Sequence, residues 1–182
     1  AASDVYKRQL MEKNPAIHAT VPKAVPQKRE VWDAETIFLA LDVCDDARLK
    51  LAINLSFACS MRIGEILGLT WDCVDFSPKS IADGTASIMI TKELQRVDKT
   101  AMKSLEQKDV LFIFPQSSKR NTSMLVLKKP KTESSVRKVF IPATVAHQLE
   151  SWKREQERTK EALGGEYTDY NLVPVSYTHL RA

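Results

Sequence analysis

The sequence predicts an α+β fold, mostly helical with a small antiparallel β-sheet. Three observations point there. Apolar residues recur at helical spacing in the first third of the chain and again near its end. Short β-branched and apolar runs lie between those stretches. Glycine is scarce, at 5 of 182 residues, where average usage of roughly 7% would give about a dozen. That scarcity argues against a glycine-rich nucleotide loop. The length suffices for one domain with a real core.

The elements follow in order. Residues 10–31 hold Pro15, Pro22 and Pro26 among Lys23, Lys28 and Arg29, which reads as an extended basic linker. Asp33 is placed as a helix N-cap, with Trp32 and Ile37 spaced for a hydrophobic staple, and a helix is expected over 34–43. Asp45 and Asp46 open a second helix over 46–59. Leu49, Ala52, Ile53, Leu55, Phe57 and Ala58 make it apolar nearly all round, so it is expected to be buried. Ser60 is a candidate cap for a short third helix through Leu67, stopped by Gly68. Residues 86–91 read as a strand, 92–108 as charged and aperiodic with a helical turn, and 109–114 as a further short strand. Met124–Leu127 and Val136–Ile141 are expected to pair as a hairpin with a basic turn at Lys128–Ser135, since Pro130 cannot sit in a central ladder. Pro142 introduces a long helix over 143–162 with an apolar stripe of Val145, Leu149 and Trp152, ended by Gly164-Gly165.

Both termini look foreign. In translation, residues 1–9 and 175–182 resemble the two adapter arms of a transposase-based sequencing library read in frame, and the coding sequence of one arm contains the reverse complement of the other's. The natural insert is then about Leu10 to Pro174, expected to be internal to a longer gene. Setting aside Asp4, Lys7, Arg8 and Arg181 lowers the net charge from +4 to +2. Local charge therefore says more about partners than the total does. No run approaches the roughly 18 apolar residues of a membrane span. Cys44, Cys59 and Cys73 are odd in number and not closely paired, which favours a reducing cytoplasm over a disulfide framework. His18, His147 and His179 form no metal-ligand spacing with them.

Two segments concentrate the chemistry. In the first, Arg62 opens the short helix and Glu65 follows three residues on, on the same face. A guanidinium aligned by a carboxylate offers a bidentate fork for phosphate. The same spacing also describes an ordinary surface ion pair, and residues 63–76 also fit a helix-turn-helix with Gly68 in the turn, which leaves a non-enzymatic DNA-binding regulator as the alternative reading. In the second, Lys128, Lys129, Lys131 and Arg137 surround Thr132, Ser134 and Ser135. That composition suits contacts to a nucleic-acid backbone, and equally a solvated turn charged against edge pairing.

Taken together, SMRIGEILGLTWDCVDF followed at a distance by KPKTESSVRKVFIP resembles the tyrosine recombinases, the phage-integrase family. EALGGEYTDYNLV is also similar to a stretch those proteins carry after the second motif. The family's first box reads Thr-Gly-Leu-Arg, a Gly-Glu pair, then Leu-x-Trp. Here Cys59-Ser60-Met61 replace its first three residues, while Arg62, Gly64, Glu65, Leu69 and Trp71 fit.

The resemblance implies the first part of a catalytic domain that cuts and rejoins double-stranded DNA through a 3′-phosphotyrosyl intermediate, with no metal or nucleotide cofactor. It implies Arg62 as a phosphate-clamping arginine, Glu65 as support for the site, and Lys131 as general acid, with Lys129 the nearest rival for that role. Arg137, Lys128 and Lys129 are implied as DNA-backbone contacts, with Lys119 and Arg120 weaker candidates. The family's His-x-x-Arg box and nucleophilic tyrosine are expected after Pro174, outside the insert. Tyr177, His179 and Arg181 mimic that box, but His179 and Arg181 are two steps apart, not three. Tyr167 and Tyr170 precede the box position. The chain is thus expected to be inactive alone and to expose apolar surface that absent helices would cover. The full-length protein is expected to be tetrameric on DNA, with a core-binding domain upstream of the linker.

Overall fold

The computed structural model describes His18 and residues 31–104, 109–116 and 120–173. The two adapter-like ends and nearly all of the 10–31 linker lie outside the described residues, as does Lys119.

Six helices and six strands are described. In chain order they are α1 (Ala34–Val43), α2 (Ala47–Phe57), α3 (Ile63–Leu67), β1 (Val74–Asp75), α4 (Pro78–Ala82), β2 (Ser87–Ile90), β3 (Glu93–Asp98), α5 (Lys99–Ser104), β4 (Val110–Ile113), β5 (Ser123–Lys128), β6 (Arg137–Phe140) and α6 (Ala143–Leu163). Short 3-10 turns stand at Trp71–Cys73, Glu133–Ser135 and Gly164–Glu166. The architecture is α+β, as predicted. Asp33 does cap α1, accepting the Thr36 N–H at 2.8 Å, and Asp46 caps α2 through the N–H groups of Arg48 and Leu49. Gly164 ends α6 with φ 52, a left-handed position that suits glycine.

Five expectations need correction. The strands expected to form one hairpin belong to different sheets. One sheet has the order β1-β2-β6 and the other β3-β5-β4, all antiparallel. Residues 129–136 are therefore a crossover between sheets, not a hairpin turn. The aperiodic stretch after Lys92 supplies β3, whose six residues pair along their whole length with β5. Its two apolar residues, Leu94 and Val97, are three apart and fall on opposite faces of the strand, so no period-two alternation marks it.

Helix α2 is not buried all round. Leu51 and Leu55 enter the core, while Leu49 and Phe57 remain exposed, because α2 meets α3 and α6 on one side only. Phe38, Leu39 and Val43 of α1 are exposed as well. Ser60 does not cap α3: it takes φ 50 in the preceding turn, and Arg62 occupies the N-cap position. Nor do residues 63–76 form a helix-turn-helix. After Gly68 the chain enters a 3-10 turn and then β1, which pairs with β2.

The main core lies between the first sheet and the helices. It joins Leu51 and Leu55 of α2, Cys59, Met61, Ile66 and Leu69 around α3, Ile88 and Ile90 of β2, and Val145, Ala146 and Leu149 of α6. A smaller cluster of Phe114, Leu127 and Leu172 sits under the second sheet, with the rings of Phe112, Phe114 and Tyr170 in mutual contact. The joint between the two is tight at Gly68. A Cβ there would lie 2.5 Å from the Leu94 backbone nitrogen and 2.7 Å from the Glu93 carbonyl carbon. Only glycine lets the end of α3 approach β3 this closely.

Candidate active site

Buried side chains on either side of Ser60 place Arg62. Cys59 and Met61 both enter the core, and the Met61 N–H donates to Leu55 O at 3.2 Å. The intervening Ser60 is pushed outward, and Arg62 leaves the turn in an extended conformation with its side chain 71% exposed. Glu65 stands at the third position of α3 and folds back. Its Oε2 accepts the Arg62 backbone N–H at 2.9 Å and its Oε1 accepts the Arg62 guanidinium at 3.0 Å. This is the carboxylate half of a capping box. The two residues therefore meet through the cap and not along a helix face.

A second guanidinium arrives from β6. Arg137 donates to Glu65 Oε1 at 2.8 Å and to Oε2 at 2.9 Å, a bidentate fork. It also reaches the carbonyls of Ser135 and Ser60 at 3.3 and 3.4 Å. Glu65 is 3% exposed and accepts from two arginines at once. Burial by itself would raise its carboxyl pKa. Hydrogen bonds from Arg137 and from the Arg62 backbone and side chain outweigh that and hold it below the usual range. Arg137 is raised in turn by its bonds to Glu65. The carboxylate stays ionised and fixes both guanidinium planes. One nitrogen of Arg62 is engaged, and the rest of its fork faces solvent.

The crossover that carries Lys131 is organised by hydroxyls. Thr132 Oγ1 lies 3.1 Å from Ser134 Oγ and 2.9 Å from Ser135 Oγ. The Ser135 N–H donates to Thr132 O, and the Val136 N–H donates to Glu133 O. The Thr-x-Ser-Ser pattern thus has a local structural use: it closes a 3-10 turn just before Arg137. Lys131 is exposed and, with Lys129, Lys92, Thr132 and Val136, lines a cleft of ≈ 650 Å³. Asp109 and Glu133 also border that cleft.

The structure thus joins Arg62, Glu65 and Arg137 by direct contact, and puts Lys129 and Lys131 in one cleft. Lys128 stands apart in β5, paired across the ladder with Glu93 at 3.3 Å. Arg120 is exposed before β5. Arg137, expected to face a DNA backbone, spends its fork on Glu65. That partnership spans 72 residues of sequence, so spacing carried no signal for it.

The phage integrase family model matches residues 30–162. The chain belongs to the phage integrase family. A curated relative, described as "Tyrosine recombinase XerC-like" from Caldanaerobacter subterraneus subsp. tengcongensis, is 25% identical over 161 residues, covering 88% of this chain and 36% of its own length. This integrase-family chain thus spans about a third of that relative. Among solved structures, the Tn1549 transposon integrase (residues 82–397), in complex with circular intermediate DNA, matches with a TM-score of 0.50 at 20% identity, covering 84% of this chain and 42% of that one. At that identity the likeness speaks for the fold. Among the described residues no helix is long and apolar enough to cross a membrane.

Proposed function

We propose that residues 32–174 are part of the catalytic domain of a site-specific tyrosine recombinase, preceded by a linker at 10–31 and flanked by adapter-derived ends. The whole protein would cleave and rejoin double-stranded DNA at attachment sites in the cytoplasm, as a tetramer. One observation carries this reading: an ionised, buried Glu65 holds two guanidiniums and leaves the outer part of the Arg62 fork turned to solvent. Fixed cationic donors of this kind stabilise charge that builds on phosphate oxygens in a transition state.

In the proposed reaction a tyrosine oxygen attacks the scissile phosphorus. A phosphotyrosyl bond forms at the 3′ end as the bond to the 5′ oxygen breaks. Arg62 receives charge on a non-bridging oxygen. Glu65 and Arg137 keep Arg62 oriented. Lys131 gives its proton to the leaving 5′ oxygen, because an alkoxide leaves poorly without one. The bond energy is kept in the phosphotyrosyl link, so no nucleotide is consumed. Lys128, Lys129 and Arg120, with Lys119, would contact the DNA backbone.

No tyrosine of this chain matches the nucleophile, and the 182 residues by themselves are proposed to be inactive. Two measurements test the reading. Fluorescence anisotropy with duplex DNA should show binding that weakens with salt and weakens further in Lys129→Ala. Salt-independent or absent binding would overturn the DNA reading. Incubation with a nicked suicide duplex should give no covalent adduct. An adduct that disappears in Tyr177→Phe would show that the chain is active after all.

A further inference from the structure

Lys92 meets three parts of the fold. It lies between the end of β2 and the start of β3, where the chain passes from one sheet to the other. Its Nζ donates to Thr70 Oγ1 at 2.8 Å and to Asp72 Oδ2 at 2.7 Å, and its side chain is 22% exposed. Asp72 Oδ1 accepts from Asn171 Nδ2 at 2.9 Å. Asn171 has φ 59, a left-handed conformation that asparagine tolerates better than most residues. Its carbonyl accepts the Trp71 N–H at 3.0 Å. Beside it Thr70 pairs with Leu172 in an isolated bridge, and the Val173 N–H donates to Leu69 O at 2.8 Å. Lys92 also lines the cleft that holds Lys131 and Thr132.

A mostly buried ammonium must find partners. Both partners of this one lie on the short turn that follows α3, and one of them passes the contact on to residue 171. We propose that Lys92 is a positioning residue: through Asp72 it clasps residues 171–173 against the turn at 70–72, and so ties the path of the chain towards Val173 to the cleft of Lys131. The proposal rests on the recombinase reading for its purpose. There, the clasp fixes where residues 171–173 lie relative to the cleft of Lys131.

The test uses the full 182-residue chain with Lys92→Met, Asp72→Asn and Lys92→Arg. Amide hydrogen exchange should quicken about tenfold at Trp71 and Val173 in the first two variants, with the amides of β2 and β6 unchanged. Lys92→Arg should restore slow exchange, because a guanidinium can still reach Asp72 and Thr70. Unchanged exchange at Trp71 and Val173 would overturn the proposal. So would equal quickening throughout β2 and β6, which reports general loss of stability. A fall of about 1 in the salt slope of duplex affinity for Lys92→Met would also overturn it, since Lys92 would then be a direct phosphate contact. If no variant binds duplex while the exchange pattern holds, the recombinase reading fails and the clasp stands.

Discussion

The two halves of the candidate site hold their charges in opposite ways. Around Glu65, one buried carboxylate accepts from two guanidiniums and a backbone N–H, and the three groups lie on α3, its cap and β6. Around Lys131, the backbone is shaped by neutral hydroxyls and a 3-10 turn, and no ion pair among the described residues holds the lysine. The first arrangement suits a group that must already point at developing charge, because low polarity around Glu65 strengthens its bonds and makes their loss costly. The second suits a group that delivers a proton, since an exposed ammonium on a crossover can move.

Substitutions should separate these halves. The largest effect is expected for Glu65→Ala, which strands Arg137 half-buried and uncaps α3. Breaking a buried pair from one side costs about 3 kcal/mol, and denaturant melts should show that order of loss. Arg137→Ala should cost less and Arg62→Ala least, because Arg62 is mostly exposed. Equal losses in all three would erase the distinction between a buried anchor and its partners.

The same contrast has a pH signature. The folded-state pKa of Glu65 lies below its ordinary value of 4.5. Its stabilisation is therefore fully present above about 4.5 and is lost as pH falls through the lower folded value. The stability gap between wild type and Glu65→Gln should shrink on acidification below that point. A gap that stays constant would mean that Glu65 contributes through shape alone.

Gly68→Ala probes the support behind Glu65. The added methyl meets β3 backbone, which cannot swing aside, and overpacking of this kind costs about 1–3 kcal/mol. Thermal melts should register it, and the loss should exceed that of any substitution in the crossover. Thr132→Val removes the hydroxyl shared with Ser134 and Ser135 and should cost about 1 kcal/mol. The smallest effect belongs to Lys131→Ala, within about 0.5 kcal/mol of wild type, because the side chain is exposed. A large stability loss for Lys131→Ala would show that the crossover is as firmly anchored as the clamp.

Much of the fold was legible in local chemistry. Asp33, Asp46 and Gly164 mark helix ends because capping and left-handed backbone depend on a few adjacent residues, whereas Gly68 at the end of α3 has φ −92 and is required by the close approach of β3. The stripe of Val145 and Leu149 declared α6 because helical periodicity is a property of one segment. Arg62 and Glu65 were legible as a pair for the same reason: they are three residues apart. The residues of the crossover were legible as a cluster, and the family resemblance assigned Lys131 within it.

What the sequence by itself determined, then, was the α+β class, the approximate ends of α1, α2 and α6 and the two chemical segments, all short-range matters. Strand partnership was decided only in three dimensions. Val136–Ile141 alternates acceptably for pairing with Met124–Leu127, yet Arg137–Phe140 pairs with Ser87–Ile90 and Ser123–Lys128 pairs with Glu93–Asp98. Period-two alternation says which face of a strand is apolar and nothing about which strand lies beside it. The choice of partner brought Arg137 to Glu65 and Lys92 to Asp72, contacts that span 72 and 20 residues. Long-range electrostatic pairs leave no local pattern, so the anchoring of this site could be seen only once the sheets were assembled.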